Sequence, residues 1–490
     1  MNKITKNQFI SGSFWKITET VAAKGVSFIV SLILARILSP DDYGIIAITT
    51  IFTNLSDVLI DGGFSTTLIR KKEVDELDYN CAFVASLSIA IVLYAVMFLF
   101  APVIAEYYKE PILNSVLRVI GLVLFIQAFS STRNAIIHRN MSFKLLFYCN
   151  VIGSVISGVI GIASALMGLG VWALVIQQLS QQLIVTILLF VKLHWKFECK
   201  FEWKRFKELF SFSIGVMGAS LLSSIGSSLY NLVIGKIYSV KDLGYSDKGG
   251  QLPMQVSLYT FSAMSSVLLP TLSTYQDNME TFKRVQRKVV GMTAYMVFPL
   301  MIGLAVTSED LIVVLLTDKW LPALWIMRFS CIYYIATPFY LVNIQVFYAL
   351  GHGFKRIQFE VIRLVLLSIG FTVFSFGLKC NISQLAFINA IIACVISILT
   401  YMEVRKILLY KLNEAFADIY KSIIAAVVMG LFVIFANQIM DVIGFSSSLL
   451  RVIIDVICGT IVYGGLSWIL RIDAFLEIIN GLLPKRSKNE

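Results

Sequence analysis

The sequence predicts an all-α protein that crosses a membrane about fourteen times. Apolar stretches of membrane-crossing length follow one another from Phe14 to Leu470, the chain is 58% hydrophobic and only 14% charged, and its mean hydropathy is +0.81. A helix rises about 1.5 Å per residue and the hydrocarbon core is about 30 Å thick, so one crossing takes roughly 20 residues. The predicted spans are 14–38, 44–68, 80–105, 111–137, 145–167, 170–192, 208–235, 249–273, 286–307, 322–350, 357–378, 382–404, 416–439 and 447–470.

Basic residues are concentrated in every second loop. The net charge is +11, and the loops on the side of the N-terminus carry clusters such as Arg70-Lys71-Lys72. The positive-inside rule therefore predicts that both termini are cytoplasmic and that the number of spans is even. Contact with anionic lipid headgroups explains this charge, so no nucleic-acid partner is expected. The opposite loops hold only Lys109, Lys236, Lys241, Lys248, Lys319 and Lys379.

The longest predicted cytoplasmic linker, His194 to Lys207, divides the chain near its middle. Six spans stand on either side of it, each set starting from the cytoplasm, and the sequence openings near Asn7 and Lys207 are alike. Such a repeat is parallel, with its axis along the membrane normal. The predicted organisation is one six-helix lobe over residues 1–195, a second over 196–410, and two additional helices with a cytoplasmic tail over 411–490.

Charged residues inside the spans are the main candidates for function, because each one costs several kcal/mol at mid-membrane unless it is paired or faces water. The first two spans hold five of them, and we interpret their shared face as a polar cavity in which Lys24 and Asp57 form an ion pair between neighbouring helices. Arg118 and Arg328 are candidates for cationic groups in the outer half of the cavity. The first two spans carry Lys16, Glu19, Lys24, Asp57 and Asp61.

Other charged residues have a structural interpretation. Glu360 with Arg363 and Arg451 with Asp455 have i,i+3 and i,i+4 spacing, which favours ion pairs along one helix. Arg133 is predicted to extend to the cytoplasmic surface.

Small and hydroxylated residues are frequent in two spans. In the fifth span, the spacing of small residues from Gly153 to Gly161 favours close helix packing. In the seventh, residues from Gly215 to Asn231 suit either packing or the lining of a passage, and both alternatives stay open.

Five motifs follow one another along the chain. They are Leu34-Ala35-Arg36-Ile37-Leu38-Ser39-Pro40-Asp41-Asp42-Tyr43-Gly44, Asp61-Gly62-Gly63-Phe64-Ser65, Gly168-Leu169-Gly170-Val171-Trp172, Asp242-Leu243-Gly244-Tyr245 and Asp318-Lys319-Trp320-Leu321-Pro322. Together these motifs resemble the bacterial polysaccharide flippases, which are the Wzx-type exporters of the multidrug/oligosaccharidyl-lipid/polysaccharide superfamily. The same superfamily contains the lipid II flippases and the MATE exporters. The similarity is greatest to the branch of colanic acid and teichuronic acid exporters, although after Gly244 this chain has Ser246-Asp247-Lys248 where that branch often has an Asn/Arg-containing segment.

The resemblance implies a transporter in the bacterial cytoplasmic membrane. It would move an undecaprenyl-diphosphate-linked oligosaccharide to the outer leaflet by alternating access, for O-antigen, capsule or exopolysaccharide synthesis, through a cavity between two lobes. Its partners would be that substrate, membrane lipids, H⁺ or Na⁺, a polysaccharide polymerase and glycosyltransferases. The predicted substrate-binding residues are Lys16, Glu19, Lys24, Arg118, Asn231 and Arg328, and Asp57 and Asp61 are the predicted ion-coupling pair. Of the pair, Asp61 lies nearer the cytoplasmic end and is the predicted proton carrier; the alternative is that it only pairs with Lys16.

Two alternatives remain. One is a MATE-like exporter of drugs or metabolites coupled to a cation. The other is a membrane-embedded glycan polymerase or ligase, which would need a substantial outer catalytic loop; the longest outer loop here runs from Ser308 to Leu321 and is apolar at its centre. The three histidines and seven cysteines show no metal-ligand spacing and no nucleophile–His pattern, so neither a cofactor nor enzymatic activity is expected.

Overall fold

The computed structural model describes residues 6–71, 74–140, 142–193, 201–377, 380–410, 412–445 and 447–482. These residues form helices and no strand, which confirms the predicted class. The chain divides into two compact units, residues 1–244 and 245–490.

Helices α1 to α9 belong to the first unit, and α10 continues from the first unit into the second. A 3-10 turn (Asp318–Ala323) follows α12, and a π-helical turn (Thr372–Gly377) follows α14. The first nine helices are α1 (Lys6–Ile37), α2 (Pro40–Asp61), α3 (Phe64–Arg70), α4 (Glu76–Tyr108), α5 (Ile112–Ile120), α6 (Val123–Arg139), α7 (Phe143–Leu166), α8 (Val171–Lys192) and α9 (Trp203–Ile237). The others are α10 (Val240–Thr274), α11 (Met279–Val306), α12 (Ser308–Leu315), α13 (Leu324–Ala349), α14 (Phe354–Phe371), α15 (Ile382–Leu408), α16 (Leu412–Val442), α17 (Ser448–Ile469) and α18 (Asp473–Leu482).

Twelve helical segments among the described residues are long and apolar enough to cross a membrane. Helices α1 and α10 are not among the twelve, although they are 32 and 35 residues long. The predicted count of fourteen therefore remains a prediction. The fourth predicted span is divided at Gly121 into α5 and α6.

Helix α9 packs within the first unit, against α2, α3 and α4. The boundary between the compact units therefore falls after Gly244, whereas the predicted lobes meet at residue 195. Residues 411–490 belong to the second unit, in which α16 packs against α11 and α17. The lobe boundaries at 195 and 410 remain predictions.

The start of α2 is fixed by a capping box. The hydroxyl of Ser39 accepts a hydrogen bond from the Asp42 N–H at 3.2 Å, and the Asp42 carboxylate accepts one from the Ser39 N–H at 2.9 Å. Pro40 takes the first helical position, where its missing N–H costs nothing. The helix ends at Gly62, whose φ of 52° lies in the left-handed region that glycine adopts without steric cost.

Helix α10 begins earlier than the sequence predicted. The Ser239 hydroxyl accepts a hydrogen bond from the Asp242 N–H at 3.0 Å, so the helix starts at Val240 and not near residue 249. Lys248 was assigned to an outer loop, and this was wrong. It lies two turns inside the helix, is 5% exposed, and donates a hydrogen bond to the side chain of Gln251 at 2.8 Å.

The small residues of α7 allow close helix packing, as the sequence predicted. A methyl group at Gly161 would lie 2.7 Å from the side chain of Gln177 on α8, and one at Gly153 would lie 2.5 Å from Val185. Gly158 is similarly close to Val30 on α1. These contacts join α1, α7 and α8.

Large apolar side chains are exposed on helices of both units. Leu99 on α4 is 71% exposed and Ile461 on α17 is 68% exposed. Patches of this kind are rare on soluble monomers and are normal on surfaces that contact lipid.

Candidate functional site

A polar stripe runs along one face of α2. Asn54, Asp57 and Asp61 are spaced i, i+3 and i+7, which places them within about 60° of one another at about 100° per residue. Asn54 and Asp57 are exposed, and Asp61 is half-buried. Asp57 forms no hydrogen bond or ion pair with any residue that the structure describes. A carboxylate inside an apolar helix is therefore left open on this face.

Asp61 differs from Asp57 because two hydroxyl groups surround it. Ser65 on α3 donates a hydrogen bond to its carboxylate, and Ser131 on α6 donates another at 3.2 Å. The turn at Gly62-Gly63 brings Ser65 back over the end of α2. Asp61 therefore links three helices.

Lys24 lies exposed on α1, on the side opposite the exposed Ile29 and Ile33. The two isoleucines suit contact with lipid, so Lys24 points away from that face. The described residues form no ion pair between Lys24 and Asp57, and the predicted pair was wrong. The prediction assumed that consecutive spans are neighbours, but α1 packs on α7, whereas α2 packs mainly on α9 and α6.

A second polar stripe follows α9. Ser220, Ser227 and Asn231 lie within about 40° on one face at about 100° per residue, and the exposed Ile214 and Ile225 lie on another. The two serines are exposed and Asn231 is half-buried. This face offers hydroxyl and amide groups without charge.

The two arginines that were predicted to project into a cavity contact neighbouring helices. Arg118 is half-buried on α5, with its guanidinium 4.2 Å from the ring centre of Phe98. Arg328, in the second unit, donates a hydrogen bond to Ser308 at 3.0 Å and lies 4.0 Å from the carboxylate of Glu309. Both contacts hold helices together, and neither tests a role in substrate binding.

Two further predictions concern the first unit. Arg133 does not reach the surface: it is 1% exposed, donates to the Phe129 carbonyl at 2.7 Å, and lies 4.1 Å from the ring centre of Phe190. Helix α8 covers the side chain of Arg133, and this contact between helices cannot be predicted from the sequence. Lys16 and Glu19 lie on α1, but their side chains fall outside the part that the structure describes.

The predicted ion pairs in the second unit have different outcomes. Arg363 pairs with Glu360, which confirms the i,i+3 prediction, and Tyr340 approaches the same carboxylate at 3.5 Å. Arg451 does not pair with Asp455.

Arg451 contacts the end of α16 and the loop that follows it. It binds Asp441 on α16 at 2.6 Å and the Phe445 carbonyl in the loop at 2.8 Å, while Asp455 accepts a hydrogen bond from Asn437 at 3.1 Å. The end of α16 and the loop before α17 therefore supply the acceptors for Arg451 that the sequence assigned to the next turn of α17.

Sequence reasoning missed a polar junction between three helices. The Ser154 hydroxyl on α7 accepts hydrogen bonds from Ser27 on α1 and Gln181 on α8, both at 3.3 Å. Ser154 is 2% exposed, so the junction is buried. The dense run of glutamines on α8, from Gln177 to Gln182, was the available signal.

Side chains join α9 to α3 and α4 at the end that the charge pattern assigns to the cytoplasm. Thr67 and Ser213 share a hydrogen bond of 2.7 Å, and Arg205 lies 3.1 Å from Asp75. Burial raises the pKa of Asp75, but the Asp78 N–H and the charge of Arg205 lower it by more, so it lies below its usual value. Polar side chains therefore hold this end of α9 against α3 and the start of α4.

Within the first unit, the exposed or half-buried groups described above are one cationic group on α1, two carboxylates on α2, and hydroxyl and amide groups on α2 and α9. They suit a ligand that is anionic at one point and rich in hydrogen-bonding groups elsewhere. No group of three or more His, Cys, Asp or Glu side chains among the described residues is placed to hold a metal ion.

Solved structures share this fold. The lipid II flippase MurJ, in an inward closed conformation, superposes with a TM-score of 0.72 at 16% identity, over 95% of this chain and 99% of that chain. An inward-facing multidrug resistance MATE family transporter of the MOP superfamily gives a TM-score of 0.65 at 15% identity, over 80% of this chain and 98% of that chain. At these identities the likeness concerns the fold alone.

The chain is also similar in sequence to proteins named for the biosynthesis or transport of polysaccharides. The succinoglycan biosynthesis transport protein ExoT of Rhizobium meliloti is 26% identical over 309 residues, which span 62% of this chain and 62% of ExoT. The teichuronic acid biosynthesis protein TuaB of Bacillus subtilis is 22% identical over 434 residues, which span 88% of this chain and 89% of TuaB. A family model described as "Polysaccharide biosynthesis protein" matches residues 33–324. The resemblance seen in the motifs is confirmed, and the protein belongs to this polysaccharide biosynthesis family.

Proposed function

We propose that this protein is a flippase, which moves an oligosaccharide linked to undecaprenyl diphosphate from the inner to the outer leaflet of the bacterial cytoplasmic membrane. The family match and the MurJ-like fold support it. The observation that carries it is the exposure of Lys24 on α1 and of Asp57 on α2, inside two helices of a transporter fold. A charge in such a position is expensive unless it meets water or a polar ligand.

The proposed substrate has three parts that need different surroundings. The diphosphate needs a cation, and Lys24 is the exposed candidate on α1. The sugars need hydrogen-bonding groups, which Asn54 on α2 and Asn231, Ser220 and Ser227 on α9 offer. The lipid tail stays in the bilayer, so the protein has only the polar part to carry across.

Coupling to H⁺ or Na⁺ is a further part of this proposal. Asp57 and Asp61 lie one helical turn apart, so two ionised carboxylates would repel each other. The sequence favoured Asp61 as the group that takes up a proton. Its hydrogen bonds from Ser65 and Ser131 give it a structural role, and the open Asp57 is better placed for exchange.

The surroundings of the protein follow from the same proposal. Both termini face the cytoplasm, where glycosyltransferases assemble the lipid-linked glycan, and a polymerase receives it on the outside. The basic loops support this orientation.

Transport by the purified protein tests the proposal. In proteoliposomes that contain an undecaprenyl-diphosphate oligosaccharide, we expect the glycan to reach the leaflet that is exposed to an added glycosidase. Lys24→Gln should slow this transport at least about tenfold, because a loss of about 1.4 kcal/mol in binding free energy corresponds to a factor of ten. Lys204→Gln, a change at an exposed lysine at the start of α9, is the matched control and should leave the rate unchanged.

One outcome contradicts the flippase assignment, and another contradicts only the role of Lys24. Folded wild-type protein that moves no glycan, but exports a cationic drug down an ion gradient, supports the MATE-like alternative. Normal glycan transport by Lys24→Gln removes Lys24 from the diphosphate site while leaving the flippase assignment intact.

A further inference from the structure

Two helix starts in the chain are built from the same residues in the same order. Ser39, Asp42 and Gly44 open α2, and Ser239, Asp242 and Gly244 open α10, 200 positions later. In both, the serine hydroxyl accepts a hydrogen bond from the aspartate N–H, at 3.2 and 3.0 Å. The turns α1–α2 and α9–α10 are therefore equivalent parts of an internal repeat.

The two turns contact each other reciprocally within the first unit. A β-carbon at Gly44 would overlap the Val240 carbonyl oxygen and lie 2.6 Å from its carbonyl carbon. One at Gly244 would overlap the Pro40 carbonyl oxygen and lie 2.9 Å from its carbonyl carbon. Pro40 and Val240 are themselves equivalent first residues of α2 and α10. Gly44 therefore faces the first residue of α10, and Gly244 faces the first residue of α2. A reciprocal contact of this kind between equivalent residues indicates a local two-fold axis that passes through it.

Glycine is required at these two positions because the two helix starts approach each other so closely, and not because the backbone has an unusual conformation. Neither Gly44 nor Gly244 has a positive φ, and both lie inside helices. Each one faces a backbone carbonyl, which cannot rotate away as a side chain can. Any other residue would therefore force the two helix starts apart.

Contacts next to the two helix starts join the end of α9 to α4. Lys236 at the end of α9 donates a hydrogen bond to the Tyr107 carbonyl at 2.8 Å, and its ammonium lies 3.6 Å from the centre of the Tyr107 ring. A methyl group at Gly235 would lie 3.1 Å from Tyr108. The charge pattern assigns this end of the helices to the outside of the membrane.

We propose that Gly44 and Gly244 form the closure of the transport path at its outer end, and that this contact must separate when the path opens to the outside. The inference rests on the proposed function, because it needs a path along the repeat axis, which in a parallel repeat follows the membrane normal. The polar contacts Thr67–Ser213 and Arg205–Asp75 close α9 against α3 and α4 at the other end. The contact between the starts of α2 and α10 is made by backbone atoms, and it can form only because Gly44 and Gly244 have no side chain.

The test measures access from outside and needs no substrate. Ser227 is exposed on the polar face of α9, so Ser227→Cys in a cysteine-free background reports whether a membrane-impermeant maleimide, added outside intact cells, reaches that face. We expect Gly44→Val and Gly244→Val each to raise the labelling rate several-fold. The double variant should show about the same rise as the larger single one, because both changes act on one contact.

Gly464→Val is the matched control, because a β-carbon at Gly464 on α17 would meet no atom within 4 Å. It should leave the labelling rate unchanged. If the valine variants do not fold, Gly44→Ala and Gly244→Ala are compared in the same way, with a smaller rise expected. Wild-type labelling in folded Gly44 and Gly244 variants would overturn the inference, whereas increased labelling in a protein that moves no glycan would retain the closure and reject the flippase.

Discussion

Asp57, inside a helix of the first unit, differs from two carboxylates inside helices of the second unit. In the second unit Glu360 is paired with Arg363, and Asp455 accepts a hydrogen bond from Asn437. In the first unit Asp57 is exposed and has no partner among the described residues. The comparison teaches that a charge in a span is not by itself a sign of function. The informative residue is the charged one whose partner the protein does not supply.

The largest effect on stability is expected where a buried pair is broken. Glu360 is 7% exposed and the side chain of Arg363 is 17% exposed, so Glu360→Ala leaves a mostly buried positive charge without its partner. We expect the free energy of unfolding to fall by about 3–5 kcal/mol. Unfolding of the purified protein in mixed micelles measures it.

The double variant Glu360→Ala/Arg363→Ala is the control for that loss. It should be more stable than Glu360→Ala alone, because no unpaired charge remains. Unchanged stability of Glu360→Ala, with loss of transport, would mean that this pair belongs to the transport site and that the comparison between the units is wrong.

The opposite result is expected for the open carboxylate. Asp57→Asn should change the free energy of unfolding by no more than about 0.5 kcal/mol, because it breaks no contact that the structure describes. It should abolish the response of transport to an imposed pH gradient in proteoliposomes, since asparagine cannot take up the proton.

Asp61→Asn sharpens this prediction as a matched change one turn away. Ser65 and Ser131 both donate to Oδ1 of Asp61, and the side-chain carbonyl oxygen of asparagine can accept both hydrogen bonds, but without the negative charge that strengthens them. We therefore expect a loss of about 1 kcal/mol in stability and a retained gradient response. If Asp61→Asn loses the response and Asp57→Asn keeps it, Asp61 is the carrier, as the sequence first suggested.

The sequence was sufficient for the fold class and the family because both depend on patterns along the chain. Apolar runs, basic loops and the motif around Ser39–Gly44 are visible without knowing which helices touch. The small residues of α7 were also correctly interpreted, since glycines at helical spacing pack closely in almost any arrangement.

Contacts between helices were the part that sequence could not supply. The Lys24–Asp57 pair was inferred from consecutive spans, but α1 packs on α7. Arg133 was placed at the surface because it lies near a helix end, yet Phe190 of α8 covers it. The repeat of Ser39 and Gly44 at Ser239 and Gly244 was readable, but only the reciprocal backbone contact shows what it does.

The smallest combined effect on stability and transport is expected at the ion pair of Arg451 with Asp441, which stands in place of the predicted pair with Asp455. Arg451 binds Asp441, whose side chain is 63% exposed, and not Asp455. Because exposed ion pairs contribute at most about 1 kcal/mol, Asp441→Asn should lower stability by less than that and leave transport unchanged. Arg451 keeps its hydrogen bond to the Phe445 carbonyl, so the loop before α17 should stay in place. A loss of several kcal/mol in Asp441→Asn would show that this pair is shielded from water. Ion pairs at the ends of helices in the second unit would then stabilise the fold as much as the buried pair of Glu360 with Arg363.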